Sequence, residues 1–393
     1  MKHTVFALFS LLVSTTVFAA SDAYVERGHL YVKCSTCTDF TYVTSDVDEF
    51  QLRADRVVLM KNDWLGVIDN LESPNINWLT SDIEEYQFSP SLLVIKKNGW
   101  IGSLTDFTTN NINWIVQDVD SYVVRGSAIA VTKNNWLGLI ADPSTSNINW
   151  VVQDFDEFLI QHGVIAILKN SWLGVLTDFT DNQINWIAQD IDDYAISSGL
   201  IAIVKNGWLG VLNDFASSNI NWVVQDFDSY TIRHRYIAIE KNGWLGFLTD
   251  FTSSQIEWVV QDFEPGLDMG RDAVALKKNG WLGIVHVDNP DSINWVTSDV
   301  DTFGFLGPTK IGVVKNGWLG LVSDLRSDSV SWEHSDIQFS GFLGHEFFYV
   351  KNGNLYRTRT GLGGTLIAEG VTGLVVTPER CTYLKDGQWI PFF

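Results

Sequence analysis

The chain has 393 residues, a formal net charge of −21, and a composition that includes 17 Trp and only 8 Pro. The strong negative charge argues against nucleic acid and anionic membrane surfaces as partners, because binding to polyphosphate needs a basic surface. The many aromatic residues argue against disorder and indicate a packed, β-rich chain.

The first element in chain order is an export signal. A basic start precedes an apolar run from Thr4 to Leu12, and a small residue, Ala19, ends the segment. We expect a secretory signal peptide in residues 1–19 with cleavage after Ala19, and a secreted or periplasmic mature protein. The run is too short to span a bilayer, and no later segment reaches about 18 uninterrupted apolar residues, so we expect no membrane insertion.

A single phrase, Lys-Asn-Gly-Trp-Leu-Gly, recurs along the rest of the chain and has its clearest copy at 241–246. The repeated lysines are Lys61, Lys97, Lys133, Lys169, Lys205, Lys241, Lys278, Lys315, Lys351 and Lys385. The steps between them are 36 five times, then 37, 37, 36 and 34. Such a period predicts stacked supersecondary units. Asn-Gly between apolar runs predicts a tight hairpin, because both central residues of a primed turn need φ > 0.

The clearest unit, residues 226–262, contains four short strands separated by turn residues. Several strands are apolar on both faces, which predicts that each small sheet is covered on both sides. The expected fold is therefore all-β: a single repeat domain over residues 20–393, most simply a closed β-propeller of about ten blades, with an open β-solenoid as the alternative. The strand content of the two termini looks complementary, so we expect the N- and C-terminal segments to share the closing blade.

Three cysteines, Cys34, Cys37 and Cys381, are candidates for a structural disulfide in an oxidising compartment. We expect Cys381 to pair with Cys34 or Cys37, because that bridge would staple the ring closed. A local Cys34–Cys37 bridge is the alternative, and a redox role for this pair is disfavoured because the βαβ context of such sites is missing.

Sixteen of the tryptophans form eight pairs with a constant gap of 14 residues, from Trp64/Trp78 to Trp318/Trp332. One interpretation is a set of sugar-stacking platforms. The favoured interpretation is that each Trp fills the same hole between neighbouring blades, because identical placement in every unit suits a packing role.

Paired carboxylates precede the first eight repeated lysines, as at Asp226 and Asp228. We expect them to form partly screened ion pairs with the repeated lysines. Calcium binding is the alternative for these oxygen ligands, and catalysis by an acid pair is disfavoured. The prediction is that the protein holds no metal and needs no cofactor.

The phrase at 238–248, Ala-Ile-Glu-Lys-Asn-Gly-Trp-Leu-Gly-Phe-Leu, resembles the bacterial WG (KWG) repeat. The resemblance extends from about residue 28 to the end, although Trp244 stands one place earlier than the family's Trp. What it implies is a β-rich repeat scaffold without assigned catalytic residues.

Function in a regular repeat is expected where the copies differ, in loops over a rigid frame. The turn between the first and second strands varies most and collects arginine and histidine. The candidate binding residues there are Arg53, Arg56, Arg125, His162, Arg233, His234, Arg235 and Arg271. Arginine suits an anionic or carbohydrate partner, because its planar fork donates paired hydrogen bonds.

No phosphate loop, nucleophile elbow or zinc-helix motif occurs in the sequence. The favoured hypothesis is an exported, non-catalytic binding scaffold that presents its variable turns to a protein or a glycan. The alternatives are a propeller enzyme such as a glycosidase or lyase, and a structural component of the envelope or matrix.

Overall fold

The computed structural model describes residues 21–26, 28–161, 163–197, 199–233, 235–307, 309–343, 346–358, 364–377 and 380–391. The predicted signal peptide lies outside these residues and stays a prediction. Throughout the described ranges the regular structure is β-strand. No described segment forms a helix of the length and apolarity needed to cross a membrane.

Consecutive strands pair with one another to form each sheet. The first three sheets contain β1 (Asp22–Glu26), β2 (His29–Lys33) and β3 (Thr41–Thr44); β4 (Glu49–Arg53), β5 (Arg56–Lys61), β6 (Trp64–Ile68) and β7 (Asn77–Ser81); and β8 (Glu85–Ser89), β9 (Leu92–Lys97), β10 (Trp100–Leu104) and β11 (Asn113–Gln117). The next three contain β12 (Ser121–Arg125), β13 (Ala128–Lys133), β14 (Trp136–Ile140) and β15 (Asn149–Gln153); β16 (Glu157–Gln161), β17 (Val164–Lys169), β18 (Trp172–Leu176) and β19 (Asn185–Gln189); and β20 (Asp193–Ser197), β21 (Leu200–Lys205), β22 (Trp208–Leu212) and β23 (Asn221–Gln225).

The remaining five sheets follow the same order. They contain β24 (Ser229–Arg233), β25 (Tyr236–Lys241), β26 (Trp244–Leu248) and β27 (Glu257–Gln261); β28 (Glu264–Met269), β29 (Ala273–Lys278), β30 (Trp281–His286) and β31 (Asn289–Thr297); β32 (Thr302–Phe305), β33 (Ile311–Lys315), β34 (Trp318–Val322) and β35 (Ser331–His334); β36 (Ile337–Leu343), β37 (Glu346–Lys351), β38 (Asn354–Thr358) and β39 (Thr365–Glu369); and β40 (Val371–Val376), β41 (Cys381–Lys385) and β42 (Gln388–Pro391).

The predicted all-β repeat of four-stranded antiparallel units is confirmed. Of the eleven sheets in the described residues, nine have four strands, like the blades of β-propellers, and the first and last have three. The eleven sheets outnumber the predicted blades, of which there was one for each of the ten repeated lysines. The additional sheet is the first one, which has a hairpin at Gly28 in place of a turn with a repeated lysine. Closure of a ring, and sharing of a blade between the chain ends, stay predictions.

Internal contacts divide the chain into two compact units. The first takes in the described residues up to Asn98 together with Gly102–Asn113, and the second takes in Gly99–Ile101 and the described residues from Trp114 onward. Each contact discussed below lies within one of these units. One continuous domain over residues 20–393 stays a prediction.

The predicted tight hairpins are present at the repeated lysines. In the copy that joins β21 to β22, Lys205 pairs with Trp208. The two central residues, Asn206 and Gly207, have φ of 51° and 74°. These values match a type I′ turn, which suits the right-handed twist of the strands and explains why Asn and Gly occupy these positions.

The second strand of each unit contributes to two layers of core. In β21, Ile201 and Ile203 pack against the sheet before it, in a cluster that includes Val164. The alternate residues Leu200 and Ala202 pack against the sheet after it. Because successive side chains of a strand point to opposite faces, an apolar run of this kind buries both faces of its sheet, as predicted.

An asparagine clamp, defined as the Asn directly before the second Trp of a pair, links neighbouring sheets. The Nδ2 of Asn185 donates to the carbonyl oxygens of Phe215 at 2.9 Å and Ser217 at 3.4 Å, in the next unit's turn between strands three and four. The same paired contact is made by Asn77, Asn149, Asn221 and Asn294. Glu257 and Ser331 occupy this position in two other repeats.

Candidate functional site

Most of the paired tryptophans are exposed at the surface, so the expectation that each of them fills a hole between blades is wrong. In the described residues, fifteen of the seventeen tryptophans are classed as exposed, and Trp208 and Trp222 have exposed fractions of 38% and 37%. The ring of Trp222 lies over Gly210, where an added Cβ would stand 2.7 Å from Cε3 of the ring. The sheet thus supports the ring from beneath, and the glycine is required because any side chain would displace it.

Each of several pairs forms an open cleft with the lysine and asparagine of its hairpin, here called a tryptophan cleft. Three such clefts have volumes of 310–340 Å³, and each is lined by one Lys, one Asn and two Trp. Their lining residues are Lys61, Asn62, Trp64 and Trp78; Lys133, Asn134, Trp136 and Trp150; and Lys205, Asn206, Trp208 and Trp222.

A larger tryptophan cleft, of 560 Å³, shows how neighbouring sheets build the wall. Lys241, Trp244 and Trp258 line it together with Val223 and Val224 of the preceding sheet. Within the described chain, no contact between aromatic rings links the two members of any Trp pair.

The repeated lysines bind backbone oxygens, so most of the expected ion pairs are absent. Lys205 Nζ donates to the carbonyl oxygen of Gln189 at 2.6 Å, and four other repeated lysines make the equivalent contact with a Gln carbonyl. Of the repeated lysines in the described residues, only Lys315 lies within 4.0 Å of a corner carboxylate, that of Asp299 at 3.6 Å. The lysine side chain therefore forms one edge of a cleft and fastens it to the previous sheet.

The acidic corners fasten two hairpins through backbone groups. The amide of Asp190 donates to the carbonyl oxygen of Ser171, in the hairpin of its own sheet, at 2.8 Å. Oδ2 of Asp192 accepts the amide of Asn206, in the hairpin of the next sheet, at 2.6 Å. Among the described His, Cys, Asp and Glu side chains, no group of three is placed to hold a metal ion. The absence of a metal cofactor stays a prediction.

The predicted arginine turns lie at the other end of the strands, together with the turns between strands three and four. Arg53, Arg125, Arg233, Arg235 and Arg271 are exposed there. His162 and His234 lie outside the described residues.

Several structural contacts hold Arg56 in place. Its Nε pairs with Asp69, its Nη1 donates to the carbonyl oxygen of Pro90 at 2.5 Å, and its guanidinium lies 4.7 Å from the ring centre of Phe107. These contacts explain Arg56 without a ligand.

One of the predicted binding residues, Arg235, lines a cavity of 790 Å³, here called the polar cavity. Its lining includes Asp272 and Thr309, which lie in turns between first and second strands. It also includes Asp288 and Arg326, which lie in turns between third and fourth strands. The structure thus brings the two kinds of variable turn together, as expected for turns that lie at the same end of the strands. The other predicted arginines are not among its lining residues.

Sequence reasoning missed several residues of the polar cavity, including Glu257, His286, Asp291 and Arg326. Two signals could have found them. The lysine spacing lengthens to 37 at this part of the chain, and Glu257 stands where most repeats have Asn.

The disulfide joins Cys34 to Cys37, so the predicted bridge from Cys381 is wrong. The two bonded cysteines are three residues apart, and their Cα atoms are separated by 5.1 Å. Cys381 is a buried free thiol that packs with Phe348 and Val371 between the last two sheets. In the intervening turn the Cys37 amide donates a hydrogen bond to the Cys34 carbonyl oxygen. Local pairing is favoured because this turn already brings the two side chains together.

Comparisons with known proteins establish the fold only. No family model and no curated protein matches the sequence. The structure is similar to the crystal structure of a eukaryotic initiation factor, with a TM-score of 0.52 and 10% identity over 80% of this chain and 96% of that one. Weaker likenesses are to BamB from Moraxella catarrhalis (TM-score 0.35, 14% identity, 68% of this chain and 93% of that one) and to Hsv2 of Kluyveromyces lactis (0.35, 12%, 61% and 92%).

Proposed function

We propose that this protein is an exported, non-catalytic binding scaffold whose tryptophan clefts hold successive units of a neutral polysaccharide. The observation that carries the proposal is the repetition of one open cleft, lined by two Trp, a Lys and an Asn, in separate repeats. A polymer of identical sugars presents the same ligand to each cleft, and repeated weak contacts add up to useful avidity.

The lining of the clefts suits a sugar ring. Exposed aromatic faces attract the C–H groups of a pyranose, because the ring face carries negative partial charge. Lys and Asn at the rim supply hydrogen-bonding groups, so each cleft combines an apolar wall with a few polar contacts, as small-molecule sites do.

The negative net charge of the protein favours neutral glycans over acidic ones. A net charge of −21 repels uronic acid polymers and sulfated glycans at long range. Each repeated lysine with a Gln contact already donates to a backbone oxygen, which reduces its capacity to bind an anionic sugar. Neutral polysaccharides are therefore the expected ligands.

The test is retardation of the mature protein in gels that contain β-glucan, xylan, galactan or mannan, with polygalacturonate and alginate as acidic controls. We expect retardation by at least one neutral polymer and none by the acidic ones. The glycan ligand would be refuted if no neutral polymer retarded the protein, a broad glycan array showed no binding, and the protein captured another protein instead. Release of shorter sugars from a bound polymer would refute the non-catalytic role and favour a glycosidase or lyase.

A variant series separates the clefts from the rest of the surface. Replacing Trp136, Trp172, Trp208 and Trp244 with Ala should weaken polymer binding stepwise, by about tenfold or more in the quadruple variant, whereas the matched Phe variants should retain most of it. An Arg125→Ala and Arg233→Ala variant on the variable turns is the control, and its polymer affinity should stay unchanged. Circular dichroism of each variant verifies that the sheets remain folded.

A further inference from the structure

The polar cavity lies where two neighbouring repeats depart from the pattern together. Glu257 replaces the clamp asparagine of its sheet. The turn that would receive the clamp is replaced by a tight hairpin, in which His286 pairs with Asn289. With both halves of one clamp missing, no asparagine clamp closes the space between these turns. Within the described residues the Tyr236 hydroxyl links the two sheets beside this space, by donating to the carbonyl oxygen of Gly270 at 3.1 Å.

The size and lining of this space are those of a small-molecule site. Its volume of 790 Å³ falls within the usual range for ligand pockets. Val287 and Pro290 provide apolar wall, and Thr249, Thr309 and Asn289 provide neutral hydrogen-bonding groups.

Two of the carboxylates in the lining already have partners. Asp288 accepts from Arg326 at 2.8 Å. Asp272 lies 3.8 Å from the Nε of Arg271, which is outside the lining. These pairs leave little net charge for a ligand to neutralise.

Three charged side chains of the lining have no ion pair within the described residues: the carboxylates of Glu257 and Asp291 and the guanidinium of Arg235. In addition, Nε2 of His286 is buried and has no hydrogen-bond partner there. The cavity thus offers two negative groups and one positive group to a ligand. Since no three acidic or histidine side chains in the described ranges converge to hold a metal ion, the arrangement suits an organic ion with separated charges.

We propose that the polar cavity binds a free basic amino acid of the lysine type. Its α-ammonium and side-chain ammonium match the two carboxylates, and its α-carboxylate matches Arg235, with which it can form paired hydrogen bonds. The aliphatic stem of the ligand packs on Val287 and Pro290. The site shares no lining residue with the tryptophan clefts described above, so the two sites can be tested independently.

The experiment is isothermal titration calorimetry of the mature protein with L-lysine and three analogues. We expect saturable binding of L-lysine with a dissociation constant of about 1 mM or lower. L-norleucine lacks the side-chain cation, cadaverine lacks the carboxylate, and L-glutamate reverses the side-chain charge. Each should bind at least about tenfold more weakly. Absence of saturable binding up to about 10 mM L-lysine would overturn the proposal.

Variants assign the contacts. Glu257→Gln and Asp291→Asn should each weaken L-lysine binding by about tenfold or more. Arg235→Gln should weaken L-lysine binding but leave that of cadaverine unchanged or stronger. The charge-matched control is Asp328→Asn, an exposed carboxylate outside the lining, which should have no effect. Equal L-lysine affinity in Glu257→Gln and the unmodified protein would show that the cavity is not the site. The outcome of the gel-retardation test with polysaccharides does not affect this result. The polysaccharide proposal and the L-lysine proposal can therefore be refuted independently.

Discussion

Removal of one asparagine clamp tests how the sheets are held together. In Asn185→Ala, the carbonyl oxygens of Phe215 and Ser217 lose their Nδ2 donor. Asn185 is half-buried, so water replaces the donor only in part. A net hydrogen bond contributes about 0.5–1.5 kcal/mol, and the 3.4 Å contact is weaker than the 2.9 Å contact. We therefore expect a loss of about 1–2 kcal/mol in the free energy of unfolding.

Two further variants isolate the hydrogen bonds. Asn182 is exposed in a nearby turn and its side chain donates no hydrogen bond among the described residues, so Asn182→Ala should change stability by less than about 0.5 kcal/mol. In Asn185→Asp, a carboxylate would face two carbonyl oxygens and could not donate. Its loss at neutral pH should exceed that of Asn185→Ala.

The assay is urea unfolding followed by far-ultraviolet circular dichroism, combined with hydrogen exchange of the Ser217 amide. This amide donates within the receiving turn, to the carbonyl oxygen of Asp214 at 3.3 Å, and should exchange faster when the clamp is removed. If Asn185→Ala and Asn182→Ala unfold at the same urea concentration, the clamp does not hold neighbouring sheets together.

The other predictions concern packing, the cysteines, acid and metal. Gly210→Ala should cost about 1–3 kcal/mol, because the new methyl would stand 2.7 Å from the Trp222 ring, and an unchanged melting temperature would contradict this. Burial, aided by a nearby carboxylate, raises the pKa of the Cys381 thiol to about 11, so alkylation of the folded protein at pH 8 should be far slower than after unfolding; equal rates would refute its burial. Hydrogen bonds from the Thr180 hydroxyl and amide lower the pKa of Asp178 below 3.8, so its stabilising contribution is complete above about pH 4 and is lost as pH falls through the lowered pKa; carboxyl titration by NMR checks this against Thr180→Ala. A chelator should leave the melting temperature unchanged, whereas a large drop would indicate calcium at the acidic corners.

Local features of the fold were predictable from the sequence alone. Asn and Gly at 206 and 207 predict the hairpin, because their conformational preferences act within a few residues. The apolar run at 200–204 predicts a strand buried on both faces, because side chains alternate along any strand. The repeat period then predicts stacked four-stranded units, since each copy has the same apolar faces to cover.

Tertiary structure decided the rest, because these features join residues that lie far apart in the chain. The 14-residue gap in a pair such as Trp208/Trp222 is compatible with either burial or exposure, and the packing of the second ring over Gly210 leaves both rings accessible. Cysteine pairing likewise depends on which thiols meet in space, and the turn between Cys34 and Cys37 brings those two together while Cys381 is buried between other sheets. The polar cavity depends on a clamp that is missing on both sides, which becomes visible only when Glu257 and the turn after His286 are placed next to each other.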